Sequence, residues 1–376
     1  MSAPVFFYVQ HLLGIGHLRR AAVIARALRR QSLGVVFASG GVPVHDLDLA
    51  GAELVQLPPA YAADSTFSAI HDEAGKPIDD AWRARRRQQL LDEFDRRRPG
   101  LLLLEMFPFG RRQFAFELEP LMSRARRRGI PVLISLRDIL VAKSKASRVA
   151  ETVTLVNRLA DGVLVHGDPA LVRLEATFPA AAELRPPILY TGYVVDVPAP
   201  AKAAEGPEIL VSAGGGAVGL PLLSAVLDAM PKTAAASAPW RLISGPNLAE
   251  SAFQALASRL PANARLERFR PDFPALMAAA RLSISQAGYN TVMDILCTGV
   301  RALVLPFGEG GESEQTMRAR LLAERGLLSL LEPPFEAAAL ARAIDATLAR
   351  ERPTAARIDL GGAGTTARLI AERLAA

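Results

Sequence analysis

The chain has 376 residues, half of them hydrophobic and 22% charged, with a formal net charge of +6. That length exceeds one ordinary core and fits two domains of roughly 150–200 residues each, and the composition excludes a disordered or fibrous chain. A single cysteine, Cys297, allows no internal disulfide and points to a reducing compartment. The N-terminal apolar run is broken by Gln10 and His11 and has no basic segment before it, so no signal peptide is expected. No stretch reaches the roughly 18 apolar residues of a membrane span, and the expected location is the cytoplasm.

In chain order, β-branched and leucine-rich runs alternate with helical patterns. Residues 5–9, 34–39, 52–57, 100–105, 131–136, 162–167 and 188–192 read as strands, with helices over 18–30, 79–97, 111–128 and 144–160. Strands separated by helices imply βαβ crossovers and a parallel sheet. Residues 194–208 (VVDVPAPAKAAEGPE) have no apolar period and read as a linker. The alternation then restarts. Strands are expected at 208–214, 240–245, 264–269, 281–286, 301–307 and 327–332, with helices at 219–230, 249–259, 288–298, 313–325 and 336–350. The expected fold is α/β, with two Rossmann-like, doubly wound domains facing across a cleft. The first spans 1–195, a linker 196–207, the second 208–360, and a helix over 361–376 crosses back to the first.

Ligands of such sheets sit beyond the carboxyl ends of the strands, and three loops there carry chemistry. The first, QHLLGIGHLRR from residue 10, places Gly14 and Gly16 before a helix that opens near His17. A nicotinamide fingerprint fails, since Arg19 takes the third glycine position and Ala38-Ser39-Gly40 offers no acid for a ribose. The second, VSAGGGAVG over 211–219, bares the amides of Gly214, Gly215 and Gly216 to a phosphate or a sugar hydroxyl, or is a flexible turn. The third begins at 283 with SISQAGYNTVMD. Gln286, Ala287, Gly288, Tyr289, Asn290 and Thr291 lead into a helix whose first-turn N–H groups suit a diphosphate. Asp294 stands ready for two ribose hydroxyls, or answers the helix dipole. After the glycine-rich loop 308–311, Glu314 and Gln315 open a further helix, where they read sugar hydroxyls or cap it.

Other features stay open. Arginines crowd 83–98, seven against three acids, and 124–128. They are either solvated helix faces or an attraction to an anionic partner such as the inner face of a membrane; nucleic acid is not expected, because no aromatics interleave with them. The segment LEMFPFGRRQFAFELEP (104–120) sets Glu105 at a strand end before Phe107, Phe109, Arg111 and Arg112, as core packing or as an acceptor pocket with an anion-binding rim. The five histidines have no cysteine partners at zinc spacing, and neither metal nor cofactor is expected.

The arrangement resembles the MurG-like glycosyltransferases, the family of GT-B fold that includes the enzyme adding N-acetylglucosamine to lipid I. The resemblance rests on Gly16-His17, Thr191-Gly192, Gly214-Gly215-Gly216, the run from Ser285 to Asp294 with Asp in place of Glu, and Pro306-Phe307 through Glu314-Gln315 with Glu in place of one Gln. Residues 268–288 are similar to the segment in which an aromatic residue and the backbone after it bracket uracil, which points to Phe269 and Arg270. The resemblance implies a nucleotide-diphosphate sugar donor, a UDP-sugar, as substrate, and metal-free inversion at the anomeric carbon onto an acceptor hydroxyl. His17 is then the expected base, with Asp138 holding it or acting as base itself. A UDP-sugar hydrolase of the PseG-like kind, a UDP-sugar 2-epimerase and a non-catalytic nucleotide-sugar-binding protein are the alternatives.

Overall fold

The computed structural model describes residues 3–12, 14–45, 47–62, 69–140, 146–195, 205–215, 219–307, 314–334, 336–353 and 358–375. The chain divides into two compact units, Met1–Asp196 with Ile358–Ala376, and Val197–Arg357. The first opens with β1 (Val5–Val9), α1 (Gly16–Arg30), β2 (Val35–Ser39), β3 (Glu53–Gln56) and a short antiparallel hairpin of β4 (Tyr61–Ala62) and β5 (Ile70–His71). It continues through α2 (Asp80–Arg97), β6 (Leu101–Glu105), α3 (Ala115–Arg127), β7 (Val132–Arg137), α4 (Ala146–Leu159), β8 (Gly162–His166) and β9 (Ile188–Tyr190). The second holds β10 (Ile209–Ser212), α5 (Leu220–Ala229), β11 (Trp240–Ile243), α6 (Glu250–Ala257), β12 (Ala264–Glu267), α7 (Phe273–Ala279), β13 (Leu282–Ser285) and α8 (Tyr289–Thr298), then β14 (Ala302–Val304), α9 (Glu314–Glu324), β15 (Ser329–Leu330) and α10 (Ala337–Leu348). The last helix, α11 (Gly362–Ala375), belongs to the first unit.

Both large sheets are parallel. The first has the order β3-β2-β1-β6-β7-β8-β9 and the second β12-β11-β10-β13-β14-β15. Strand order therefore reverses between β1 and β6 in one sheet, and between β10 and β13 in the other. These are the places where open α/β sheets bind ligands. Helices cover both faces of the first sheet, which explains its continuous apolar strands. Val5, Phe7 and Val9 of β1 join the core under α1, while Phe6 and Tyr8 join the core on the other side.

Three local departures have physical causes. Helix α3 starts at Ala115 rather than 111, because Met106 and Arg111 hold positive φ (67° and 60°), which a right-handed helix does not admit. Helix α7, with Pro274 in its first turn, is too short to show an apolar period, and the two-residue strands β4 and β5 show none either. Helix α11 returns to lie on α1, where Ala367 and Ile370 enter the core. Its start depends on backbone contact: Tyr193 N–H donates to Asp359 O at 2.7 Å and Gly362 N–H to Tyr193 O at 3.0 Å. A Cβ on Gly362 would overlap the Gly192 carbonyl, so only glycine fits.

The first core also contains a charged group. Arg86 of α2 is fully buried. Its guanidinium donates to Glu117 of α3 at 3.0 and 2.9 Å, to Gln10 Oε1 at 2.5 Å, and to the carbonyls of Gly40 and Pro58 at 2.9 and 2.7 Å. The Tyr8 hydroxyl donates to the same Glu117 at 2.6 Å. Removing one partner of such a pair strands the other charge without water. Arg86→Met is expected to destabilise the first unit by about 3–5 kcal/mol, and adding Glu117→Gln should recover part of that loss. Denaturant unfolding read from Trp82, one of only two tryptophans, in a Trp240→Phe background measures both.

Candidate functional site

In the first unit the polar residues gather at the carboxyl ends of the strands. Helix α1 has no side-chain cap and no acid in its first turn. His17 is its second residue and keeps 17% of its side chain exposed. Its Nδ1 lies 3.1 Å from Glu105 Oε1, at the end of β6 and across the reversal of strand order. Arg20, one turn further along α1, pairs with the same oxygen. The other oxygen, Oε2, accepts from Ser135 Oγ of β7 at 2.5 Å. Ser135 also contacts His166 Nε2 of β8 at 2.9 Å, and His166 Nδ1 contacts Thr191 Oγ1 at 2.9 Å. Glu105 pairs with Ser135, and β7 with β8, in the parallel registers that align these strand ends.

The charge states follow from this packing. Burial alone would raise the Glu105 carboxyl, but Arg20, His17 and Ser135 hold it well below the usual carboxylate range. Burial, aided by Arg111 and by Arg137 and Arg20, pushes the His17 imidazole down to about 3 against the pull of Glu105. Arg111 donates its Nε–H to Gln10 O at 2.7 Å, and burial with Arg137 nearby lowers it to about 10. His17 is therefore neutral at physiological pH. An ionised Glu105 only accepts hydrogen bonds, so Nδ1 carries the proton and Nε2 the lone pair.

The carboxylate hydrogen-bonded to His17 is Glu105. Asp138 is fully buried and accepts from the Tyr193 hydroxyl at 2.7 Å, after β9. The sequence signal for Glu105 and His166 was a polar residue at the end of an otherwise apolar strand, and for Ser135 a lone hydroxyl within one.

In the second unit, Gly214 (φ +60°) and Gly215 follow β10, and Gly216 lies outside the described residues. Gly288 caps α8, and a side chain there would meet nothing within 4 Å, so the approach to the first turn is open. Asn290, Thr291 and Asp294 are half-buried, and their i, i+3 and i, i+4 spacing sets them on one face. Ala287 and Tyr289 are buried, Gln286 is half-buried, and the Arg318 guanidinium stands over the Tyr289 ring at 5.3 Å. Gln315 Oε1 accepts from the N–H groups of Ala287 (3.1 Å) and Phe307 (3.2 Å), tying together the loops after β13 and β14. Its amide nitrogen is the end left to donate.

Glu314 is buried and paired with Arg318 at 2.8 Å, four residues on in α9. The 308–311 loop lies outside the described residues. Phe269 is 56% exposed just beyond β12, an apolar ring available for stacking. Arg270 beside it is held by Asp272 at 2.8 and 2.7 Å.

The basic runs are largely spent inside the chain. Arg83 pairs with Asp80, Arg96 and Arg97 with Glu93, Arg124 and Arg128 with Asp95, and Arg126 with Asp161. Among the described residues no helix is long and apolar enough to cross a membrane.

Buried neutral histidines tie stability to pH. Burial lowers His11 to about 4 and both His17 and His166 to about 3. The unfolded chain binds protons at these rings from about pH 6.5 downward while the native state does not. Their contribution is therefore complete above about 6.5 and lost as pH falls toward 4 to 3. Near pH 5 each should contribute a slope of about 1.4 kcal/mol per pH unit. Unfolding free energies at pH 7.5, 6 and 5 test this, and His166→Gln should reduce the slope by one histidine's share.

Residues 209–358 match the glycosyltransferase family 28 C-terminal domain. The chain is 31% identical over 263 residues to the UDP-N-acetylglucosamine–N-acetylmuramyl-(pentapeptide) pyrophosphoryl-undecaprenol N-acetylglucosamine transferase of Rhodopseudomonas palustris strain BisB18, covering 69% of this chain and 67% of that one. Acinetobacter baumannii MurG shares the fold at a TM-score of 0.63 and 18% identity over 98% of this chain and 99% of its own. The calicheamicin glycosyltransferase CalG4 does so at 0.66 and 17% over 100% and 98%. The chain belongs to the MurG-like glycosyltransferases of family 28, and is a nucleotide-sugar glycosyltransferase of GT-B fold.

Proposed function

We propose that the enzyme moves a hexose-type sugar from a UDP-sugar to an acceptor hydroxyl with inversion, without a metal, and that His17 is the base. The observation that carries this is the His17–Glu105 pair: a neutral, partly exposed imidazole whose Nδ1 proton is held by a buried carboxylate. In this reading His17 Nε2 takes the hydroxyl proton as the acceptor oxygen bonds to the anomeric carbon. The bond from that carbon to the diphosphate breaks on the opposite side, which inverts the centre. Glu105 stabilises the imidazolium that forms. The departing negative charge is met by backbone N–H groups at the start of α8 and around Gly214 and Gly215.

The donor assignment follows the same reading. Asp294 accepts from the ribose hydroxyls, Asn290 and Thr291 lie on its face toward the first turn, and Phe269 stacks on the base. The relatives' names make UDP-N-acetylglucosamine the first donor to test, and N-acetylmuramyl-(pentapeptide) pyrophosphoryl-undecaprenol the first acceptor. Internal pairing of the α2 and α3 arginines leaves membrane contact without support from those runs.

Two substitutions test the reading separately. His17→Ala should slow turnover by about 10²–10⁴-fold with UDP affinity kept. A fall of less than tenfold in a folded variant would place the base elsewhere. Asp294→Ala should weaken UDP binding by about 1.5–3 kcal/mol in calorimetric titration, and a 2′-deoxy nucleotide should lose less on the same change. Incubation of UDP-sugar without acceptor distinguishes transfer from hydrolysis.

A further inference from the structure

The contacts behind Glu105 reach across four strand ends, and counting protons decides which way each points. Glu105 is ionised and only accepts, so the single Ser135 hydroxyl proton lies on the 2.5 Å contact to Oε2. The 2.9 Å contact between Ser135 and His166 then needs its proton from His166 Nε2. A neutral His166 that donates through Nε2 accepts at Nδ1, so Thr191 donates its hydroxyl there at 2.9 Å. Every link runs toward Glu105, and with a neutral His166 no other assignment satisfies all three contacts; the Thr191 hydroxyl then gives its one proton to Nδ1 rather than to the Gly192 or Val165 carbonyl, which lie at 3.1 and 3.4 Å. His166, Ser135 and Thr191 are each fully buried, so water does not substitute for any of them.

We infer that Ser135 and His166 are positioning residues for His17, forming with Thr191 a one-way hydrogen-bond chain that holds the Glu105 carboxylate in place and thereby keeps the His17 proton on Nδ1. The inference rests on the reading of His17 as base for its functional meaning, but not for its geometry. Without the Ser135 donor, Oε2 is orphaned in a buried site and the carboxylate turns to share its oxygens with Arg20. The His17 ring then loses its fixed acceptor. Arg20 alone cannot replace the chain, because it engages Oε1, the oxygen that also takes His17.

The test reads tautomers and needs no acceptor. Histidine in the full-length protein is labelled with ¹⁵N, and long-range ¹H–¹⁵N spectra at pH 7.5 report which nitrogen of each ring is protonated; His17→Gln and His166→Gln assign the signals. In the wild type, His17 should be the Nδ1–H form and His166 the Nε2–H form. An Nδ1–H His166 would overturn the chain. Ser135→Ala and His166→Leu should turn the His17 signal into a mixture with at least about a fifth of the Nε2–H form, a shift that a purely structural role would not produce. Ser135→Thr, which keeps the hydroxyl, and His166→Gln, whose amide nitrogen takes the place of Nε2, should retain the wild-type His17 pattern. A pure Nδ1–H His17 in a folded Ser135→Ala protein would refute the proposal; should His166→Leu not fold, the Ser135 pair decides alone. Full turnover in His17→Ala would instead remove the catalytic reading and leave the chain standing.

Discussion

A carboxylate sealed from water ordinarily gives up its charge, because burial disfavours the ionised form. Glu105 keeps its charge only through three donors from two separate elements: Arg20 and His17 on α1, and Ser135 on β7. That requirement places constraints well beyond one residue. The register of β6 against β7 must bring Ser135 opposite Glu105, and α1 must start where it does so that positions 17 and 20, three apart, face the same carboxylate. The reversal of strand order between β1 and β6 sets the two sources of donors side by side.

The second unit follows a different economy. Several of its polar groups near the strand ends are engaged in building the loops: Gln315 Oε1 joins two of them, Glu314 holds Arg318, and Arg270 holds Asp272. Among the described residues, a side chain at Gly288 before the first turn of α8 would meet nothing within 4 Å, Asn290, Thr291 and Asp294 are half-buried on one face, and the Phe269 ring is exposed. Glycine at 288 matters because it leaves that turn unobstructed. A helix start whose N–H groups are uncovered is a natural seat for negative charge.

Charge placement separates the two units further. Arg111 and Arg137 add positive potential beside His17 and help keep its ring neutral. The more conspicuous arginines of α2 and α3 are matched mostly by acids within a few residues in sequence or on a neighbouring helix. Arg86 is the exception in kind, since its guanidinium lies inside the core and links α2, α3 and the loop after β1.

The sequence by itself determined the architecture: the alternation of apolar strands with helices, its interruption near residue 196 and its restart are local patterns, and local patterns survive without coordinates. It also put glycines and polar residues directly after strands, which is where the loops after β1, β10 and β13 lie. Short or irregular pieces such as β4, β5 and α7 escaped it, because two to seven residues carry no usable period. The partner of His17 was decided only by the tertiary structure. Glu105 lies 88 residues away in the chain, and nothing local distinguishes it from Asp138 until parallel pairing brings the ends of β6, β7 and β8 together. The same holds for Glu314 and Gln315, adjacent in sequence and alike in polarity. One is buried against Arg318 and the other bridges two loops, a difference that exists only once α9 is laid against its neighbours.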